Sequence, residues 1–440
     1  MVKKTKKGNL SLSAAISMGI GAMIGAGIFA LLGQTGAIVG SATWLSFLIA
    51  GGITILCGYS FARLGARYPS NGGVLEYLVQ AYGVNIYSGG MGIFYYVSMI
   101  VLSAVVAKSF GAYAAVLLGH GGADWVQNLT AAGIVAALVV LNFVSVTAFA
   151  RVEKIFVAVK LTVLFGFAIL GFYTIQPENL AFPAHLAPSS LLSSVAVTFF
   201  AYTGFNVISG AVEHIDNPAK TLPRAIMTTI LLVTGVYIVL AIVVFGNLSA
   251  DQVVAAKETA LAEAARPMLG NTGFVIVSVA ALVSSITAIN ANLFSTGNNS
   301  YVMAAYGTLP KAFEKHLWGR GTEGLAITGV CIIALIMLFD LSVIASLGGM
   351  AMLLCYSAVN IGHLRVLKET KATPWIAWLA AIVSCGTVIL VVIVDATGAP
   401  RHLLVTGIFL VFSFLAEWLI RLSTGRKVKP NIVHPKKDAP

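Results

Sequence analysis

A lysine stands inside a long apolar stretch of this chain. Lys160 lies in the run Val157-Ala-Val-Lys160-Leu-Thr-Val163, about eight residues, or roughly 12 Å of helix, from the start of that stretch. If the stretch spans a membrane, a charged side chain at that depth is unfavourable and marks a functional group by default. Because burial penalises the charged amine, Lys160 can bind and release a proton. The alternative is a structural cation held by backbone carbonyls.

Two other apolar stretches are interrupted by glycines and polar residues. They read Gly21-Ala-Met-Ile-Gly25-Ala-Gly27-Ile-Phe29 and Phe200-Ala-Tyr202-Thr203-Gly204-Phe205-Asn206. A spanning helix must satisfy its own backbone, so such breaks are tolerated only where protein or a cavity takes over the freed groups. For Gly21 and Gly25 the alternative is close helix packing of the Gly-x-x-x-Gly kind.

The composition indicates an all-α integral membrane protein. The 440 residues are 58% hydrophobic and 10% charged, against roughly 25% charged in globular domains. Residues 8–62 contain no charged residue, which excludes the alternating strands of about ten residues found in outer-membrane barrels. A bitopic receptor, a secreted enzyme and a nucleic-acid-binding module are excluded, and lipid is an expected partner.

At about 20 apolar residues per helix, the chain accommodates twelve transmembrane helices, numbered here as spans 1 to 12. Only Phe339-Asp340-Leu341 separates spans 9 and 10, so eleven spans is the main alternative. The predicted spans are 11-37, 41-65, 84-117, 128-149, 152-175, 190-212, 223-246, 272-303, 325-339, 342-364, 375-394 and 402-421.

The basic residues predict the orientation. With twelve spans and a cytoplasmic N-terminus, 22 of the 27 Lys and Arg residues fall on the inside, and only Lys257, Arg266 and Arg401 fall outside. This distribution obeys the positive-inside rule and places both termini in the cytoplasm. Lys108 and Lys160 remain within spans, and Lys108 is near enough to the outer end to reach the interface as a structural residue. The basic start of the chain is not expected to be a removable signal peptide.

Metal and disulfide chemistry are not predicted. All four cysteines lie in apolar spans and the seven histidines are scattered singly, so neither a disulfide framework nor a metal site is expected. Glu417 and Arg421, four residues apart, are interpreted as a helix-surface ion pair.

The two breaks occupy corresponding places. Span 1 opens a first block of five spans and span 6 a second block, which is inverted because five is odd. Broken helices in corresponding places of inverted halves indicate a transporter's binding site. The predicted organisation is a basic N-terminus (1-10), two repeats (11-175 and 190-364), two further helices (375-421) and a basic tail (422-440).

Three segments resemble the signatures of the amino acid-polyamine-organocation (APC) superfamily. They are Gly21-Ala-Met-Ile-Gly25-Ala-Gly27-Ile-Phe29, Phe199-Phe-Ala-Tyr-Thr-Gly-Phe205 and Glu213-His-Ile-Asp-Asn217-Pro218-Ala-Lys220-Thr-Leu-Pro223-Arg224-Ala225. The resemblance implies the five-plus-five inverted-repeat fold of the bacterial leucine transporter. It is greatest to the small prokaryotic, proton-coupled, broad-range amino acid permeases, and it implies a small-molecule amino acid substrate.

For such a substrate, the breaks predict a binding site made of backbone groups. Freed N–H groups of Gly25, Ala26 and Gly27 at the start of the outer half-helix would bind the carboxylate. Freed carbonyls would bind the ammonium, and those expected to do so belong to Met23, Ile24, Phe200 and Ala201.

The resemblance also gives roles to side chains near the second break. It places Phe200 as an aromatic gate, although an ordinary core phenylalanine is the alternative. Tyr202, Thr203 and Phe205 would line an apolar pocket. Asn206 stands where cationic exchangers of the family place an acid, so neutral substrates are expected.

In sodium-coupled relatives, span 8 and the break of span 1 build a sodium site, and a sodium-independent branch has a lysine there instead. Lys160 matches that branch and would face the stripe of Ala281, Ser284 and Ser285. The expected coupling ion is therefore a proton, and no cofactor is predicted.

The predicted function is import of neutral amino acids with protons by alternating access across a prokaryotic cell membrane, without an obligatory protein partner. The alternatives are an amino acid exchanger or organic-amine carrier. A membrane-embedded enzyme would need catalytic groups at membrane depth, whereas the histidines and acids lie at span ends. A channel-like protein or sensor would need a repeated filter or a soluble output domain.

Overall fold

The structure, a computed structural model, describes residues 10–144, 146–183, 186–318, 321–398 and 400–424. Most of the predicted N-terminal segment and most of the predicted basic tail therefore lie outside the described residues. The same holds for Arg320 and for the side chains of Ala26, Arg151 and Lys154.

The regular secondary structure of the described residues is helical apart from one antiparallel pair of short strands, β1 (His316–Trp318) and β2 (Gly321–Thr322), which the all-α prediction did not include. The helices are α1 (Leu12–Ala26), α2 (Ile28–Val39), α3 (Thr43–Arg67), α4 (Val74–Tyr82), α5 (Ile86–Leu117), α6 (Asp124–Val144), α7 (Val146–Tyr173), α8 (Pro188–Tyr202), α9 (Val207–Gly210), α10 (Pro218–Asn247), α11 (Ala250–Ala256), α12 (Ala260–Glu263), α13 (Arg266–Ala305), α14 (Glu323–Leu338), α15 (Leu341–Arg365), α16 (Leu367–Thr370), α17 (Pro374–Gly398) and α18 (Pro400–Thr424).

Many of these helices are suited to a membrane. Ten helical stretches in the described residues are long and apolar enough to cross one, and the first of them, Ile28–Arg67, contains α2 and α3 together. Two shorter apolar helices, Leu12–Gly25 and Glu323–Leu338, match the first half of predicted span 1 and most of predicted span 9. The chain is thus a multi-span helical membrane protein, and the count of twelve stays a prediction.

The observed helix bounds differ from the predicted spans mainly where the prediction took a proline or a charged residue as the end of a helix. Four spanning helices, α8, α10, α17 and α18, begin at a proline. N–H groups in the first turn have no acceptor within the helix, so the N–H that proline lacks is not missed there. The boundary between spans 4 and 5 was wrong by several residues, since α6 ends at Val144 and α7 begins at Val146. Basic residues are common at cytoplasmic membrane ends and do not stop a helix.

Both predicted breaks exist, and each has a definite form. Span 1 is divided at Gly27, whose φ and ψ of −93° and −84° end α1 and begin α2. In span 6, a 3-10 helix at Thr203–Asn206 joins α8 to the short α9. The second break is therefore a tightened turn, in which Thr203 donates its N–H to the Phe200 carbonyl.

Burial separates central helices from peripheral ones. Within the most apolar window of α5, 94% of residues are buried, against 17% in α18. The first half-helix, α1, packs against α13, α10, α7 and the 3-10 turn of span 6. The broken segments therefore lie inside the bundle, while α6, α7, α17 and α18 present apolar side chains outward as lipid-facing helices do.

Gly25 shows how closely these central helices approach. A Cβ built on Gly25 would lie 2.3 Å from the carbonyl oxygen of Ser284 and 2.5 Å from the Cβ of Ala288. The contact is the close helix packing that stood as the alternative for this residue, with α13 as the partner.

We predict that Gly25→Ala destabilises the protein by about 1–3 kcal/mol, because the added methyl must force α1 away from α13. Gly52→Ala is the matched control, since a Cβ there meets nothing within 4 Å. Thermal unfolding of both variants in detergent measures the effect. Equal melting temperatures for the two variants would contradict the packing described here.

Candidate functional site

The two breaks meet at one side chain from a third helix. Tyr237 of α10 is fully buried, and its hydroxyl donates to the carbonyl of Met23 at 2.5 Å and lies 3.3 Å from that of Ala201. A Cβ on Gly27 would lie only 1.9 Å from this hydroxyl, so a glycine is needed there. Tyr237 thus joins the carbonyl end of α1 to that of α8.

The free backbone groups are not all where the sequence predicted them. Gly25 and Ala26 lie within the last turn of α1, and Gly27 donates its N–H to the Met23 carbonyl at 2.8 Å. The N–H groups that lack an acceptor within a helix are those that open α2, from Ile28 to Ala30. The candidate anion-binding end of span 1 is therefore shifted a few residues along the chain.

Three of the four carbonyls expected to bind a cation accept hydrogen bonds within the protein. Met23 accepts from Gly27 and Tyr237, and Ala201 accepts from Tyr237. Phe200 accepts from both the N–H and the hydroxyl of Thr203. A ligand ammonium would have to share these oxygens or displace the tyrosine, so their role in binding stays a prediction.

Phe200 lies between the second break and α15. It is fully buried, and its ring packs so tightly on Gly348 that a Cβ there would lie 2.2 Å from the ring. A Cβ on Gly349 would lie 3.7 Å from the Cβ of Phe200. The ring therefore closes the space between α8 and α15, a position that suits a gate.

Two further residues of the predicted pocket, Tyr202 and Phe205, contact α3. Tyr202 donates to the Phe47 carbonyl of that helix at 2.8 Å. Phe205 packs against Phe61 of the same helix and against Tyr356 of α15, with ring centroids 5.3 and 5.5 Å away. The aromatic side of the break therefore lies between α3 and α15.

Asn206 ends the 3-10 turn and is 2% exposed. Its amide nitrogen donates to the sulfur of Met99 at 3.4 Å. Its amide oxygen has no hydrogen-bond partner among the described residues. Since buried amides usually use both ends, the free oxygen is available to a donor brought by a ligand.

Lys160 lies where α7, α1 and α13 meet. It is fully buried, and its ammonium donates to the Gly21 carbonyl at 3.0 Å and to the hydroxyls of Ser284 and Thr287, both at 3.3 Å. Of the predicted stripe, Ser284 contacts the lysine. The Ser285 hydroxyl has no partner among the described residues, and Ala281 is fully buried.

The predicted cytoplasmic face is closed by hydrogen bonds. The Asn71 N–H donates to the Glu213 carboxylate at 3.1 Å, and the Glu213 N–H donates to the Asn71 side chain at 3.2 Å. Glu76 accepts from Tyr306. Arg63, Arg67 and Arg224 are inner-surface residues that could form a cytoplasmic gate, and no ion pair among the described residues involves them.

Comparison with known proteins assigns the family. Residues 10–416 match the family described as amino acid permease. The chain belongs to this family. It is therefore a membrane transporter rather than an enzyme, as the resemblance to the APC superfamily indicated, and the family implies a small-molecule substrate.

Several relatives are transporters by name. The chain is 35% identical to the inner membrane transport protein YbaT of Escherichia coli over 88% of both chains. It is 37% identical to an uncharacterized protein of Methanocaldococcus jannaschii over 89% of both chains. It is 28% identical to the serine/threonine exchanger SteT of Bacillus subtilis over 76% of both chains.

Two members of the site were missed in the sequence. Tyr237 stands in an uninterrupted apolar helix, where a single tyrosine gives no sequence signal of a binding role. Its hydroxyl contacts Met23, which is 214 residues away in the sequence. Thr287 lies one turn from Ser284, and the spacing of three residues along the same helix could have included it in the stripe.

Removing the hydroxyl of Tyr237 should weaken the junction of the two breaks. We predict that Tyr237→Phe lowers stability by about 0.5–1.5 kcal/mol, the usual net value of a hydrogen bond, and lowers uptake further because Met23 and Ala201 lose their common partner. Tyr113→Phe is the control, since that equally buried hydroxyl has no partner among the described residues. Melting temperature and uptake indistinguishable between the two variants would disprove a special role for Tyr237.

Proposed function

We propose that this permease imports neutral amino acids together with protons by alternating access. The observation that carries the proposal is the position of Lys160, a buried amine held between α13 and the half-helix α1 that ends at the break. The proposal includes twelve spans in two inverted halves, a prokaryotic cell membrane and cytoplasmic termini. The ten candidate spans, the two shorter apolar helices and the meeting of the two breaks support it.

The backbone of the substrate would be bound at the junction of the breaks. Its carboxylate would accept hydrogen bonds from the N–H groups at the start of α2, where the helix dipole favours an anion. Its ammonium would compete with the Tyr237 hydroxyl for the carbonyls of Met23 and Ala201. Binding would therefore loosen the link between α10 and the breaks, which is a means of coupling occupancy to movement.

Neutral selectivity rests on the side chains near the second break. The aromatic rings of Phe205, Phe61 and Tyr356 pack together there, and the polar side chains of the 3-10 turn, Thr203 and Asn206, are uncharged. No carboxylate of this turn would pair with a cationic side chain. An exchange mechanism remains the second candidate, because SteT is named as a serine/threonine exchanger.

Proton coupling follows from the contacts of Lys160. The protonated amine donates three hydrogen bonds at most, and its contacts with Gly21, Ser284 and Thr287 tie α7 to α1 and α13. Loss of the proton removes the charge that strengthens these bonds. The first half-helix would then be released from α13, and the cytoplasmic side could open.

We expect Lys160→Ala and Lys160→Gln to lose accumulation driven by a pH gradient while retaining substrate binding, because binding uses backbone groups. Labelled alanine or serine uptake into proteoliposomes, with and without an inward proton gradient, measures this. Lys220→Gln is the control, since Lys220 is exposed and its replacement changes net charge equally. Gradient-driven accumulation in both Lys160 variants, or a sodium requirement in the wild type, would refute the lysine mechanism.

Selectivity is tested by a thermal-shift screen against the twenty amino acids. A ligand at 100 times its dissociation constant stabilises by about 2.7 kcal/mol, so neutral amino acids should raise the melting temperature of the wild type. Asn206→Asp should shift the response toward lysine and arginine, because a buried carboxylate favours a cationic partner. A wild type stabilised mainly by cationic amino acids would contradict the neutral assignment.

A further inference from the structure

A large cavity lies at the predicted outer face. Its volume is about 1420 Å³, more than the roughly 300–1,000 Å³ of ordinary small-molecule sites. Residues of α2, α5, α6, the segment between α10 and α13, and the start of α15 form its wall. We call it the outer cavity.

The outer cavity is separated from the candidate site by a close backbone contact. A Cβ on Gly33 of α2 would lie 1.9 Å from the carbonyl oxygen of Lys257, whose φ of 47° turns the segment against the helix. Gly33 is six residues from the break at Gly27, or roughly 9 Å at about 1.5 Å per residue. A solute arriving from outside therefore meets the outer cavity first and the break second.

The wall of the outer cavity carries charges of both signs. Glu263 and Arg266 neutralise each other in an ion pair of 2.5 Å. The other charged residues of the wall are Lys108, Lys257, Asp124, Glu258 and Asp340. Among the described residues, none of these five forms an ion pair.

Of the two lysines in this wall, Lys108 is the more firmly held. It projects from α5, is only partly exposed, and donates to the Asn128 side chain of α6 at 3.0 Å. The carboxylates of Asp340, Asp124 and Glu258 act on it electrostatically. Lys257, by contrast, is exposed, so water screens it more strongly.

The carboxylates are spread rather than gathered. Glu258 accepts a hydrogen bond from Gln34 of α2 at 3.2 Å, while Asp124 and Asp340 belong to other elements. In the described part of the chain, no three His, Cys, Asp or Glu residues are grouped as a metal site would require. A half-buried ammonium surrounded by separate carboxylates suits a ligand that carries both charges.

We propose that the outer cavity is a first binding site for zwitterionic amino acids, in which Lys108 binds the carboxylate and Glu258 the ammonium. The inference rests on the proposed amino acid transport and adds a site to it. Because Glu258 is hydrogen-bonded to α2, a ligand there contacts the half-helix that leads to the break. The site collects substrate before the contact between Gly33 and Lys257 opens.

The test compares Lys108→Gln, Lys108→Arg and Lys257→Gln in uptake assays with purified protein in proteoliposomes. Lys108→Gln should raise KM by roughly three- to tenfold at low salt with kcat unchanged, because fields focused in clefts raise association rates by about tenfold or more. Lys108→Arg should keep the wild-type KM, and Lys257→Gln should change it little. The KM difference should shrink at high ionic strength.

Glu258→Gln should raise KM in the same way, because the new amide oxygen can still accept the hydrogen bond from Gln34 while the negative charge is lost. An unchanged KM in Lys108→Gln, an equal effect of Lys257→Gln, or a loss of kcat alone would overturn the outer site. If the wild type took up no amino acid and was stabilised by none, the proposed function itself would be overturned. The two failures are therefore distinguishable.

Discussion

The constraint on which this structure depends is that backbone polar groups inside an apolar bundle must find partners. A continuous helix satisfies its backbone groups with its own hydrogen bonds, whereas a broken helix needs partners from neighbouring elements. Tyr237 provides that help at both breaks, by contacting the last carbonyls of α1 and α8. Lys160 makes a further contact with the same half-helix by donating to the Gly21 carbonyl inside α1. The site exists because Tyr237 of α10 stabilises interrupted backbone and Lys160 of α7 holds the half-helix that leads to it.

The same contacts identify α1 as the element best placed to move. It is held through Lys160, through Tyr237 and through the packing of Gly25 on α13. At its beginning, Leu10 exchanges backbone hydrogen bonds with the segment after span 6, donating to His214 and accepting from Asp216, both at 2.9 Å. Each of these is a hydrogen bond or a packing contact, without a covalent tie. A change in protonation or occupancy can therefore alter several of them together.

Contacts close the protein on both sides of the breaks. On the predicted outer side, Gly33 meets Lys257 and Phe200 packs on Gly348. On the opposite side, Asn71 and Glu213 exchange hydrogen bonds between two loops. Hydrogen bonds between neutral groups, or with one charged partner, contribute only a small net free energy, whereas breaking a buried ion pair is costly. Such closures are therefore suited to repeated opening. The absence of ion pairs from Arg63, Arg67 and Arg224 among the described residues agrees with this view.

Hydropathy, charge distribution and glycine clusters determined much of this protein by themselves. They predicted a helical membrane protein, located both breaks to within a few residues and singled out Lys160, because burial in lipid penalises charge and unpaired backbone wherever they occur along the chain. The ends of α6 and α7 were missed, since charges at a membrane surface do not end a helix. Tertiary structure alone decided that Tyr237 joins the breaks, that Thr287 contacts Lys160 and that Asn71 faces Glu213. Except for Tyr237 and Ala201, which are 36 residues apart, these pairs are separated by more than 100 residues. Their geometry depends on how whole helices pack, which local periodicity does not encode.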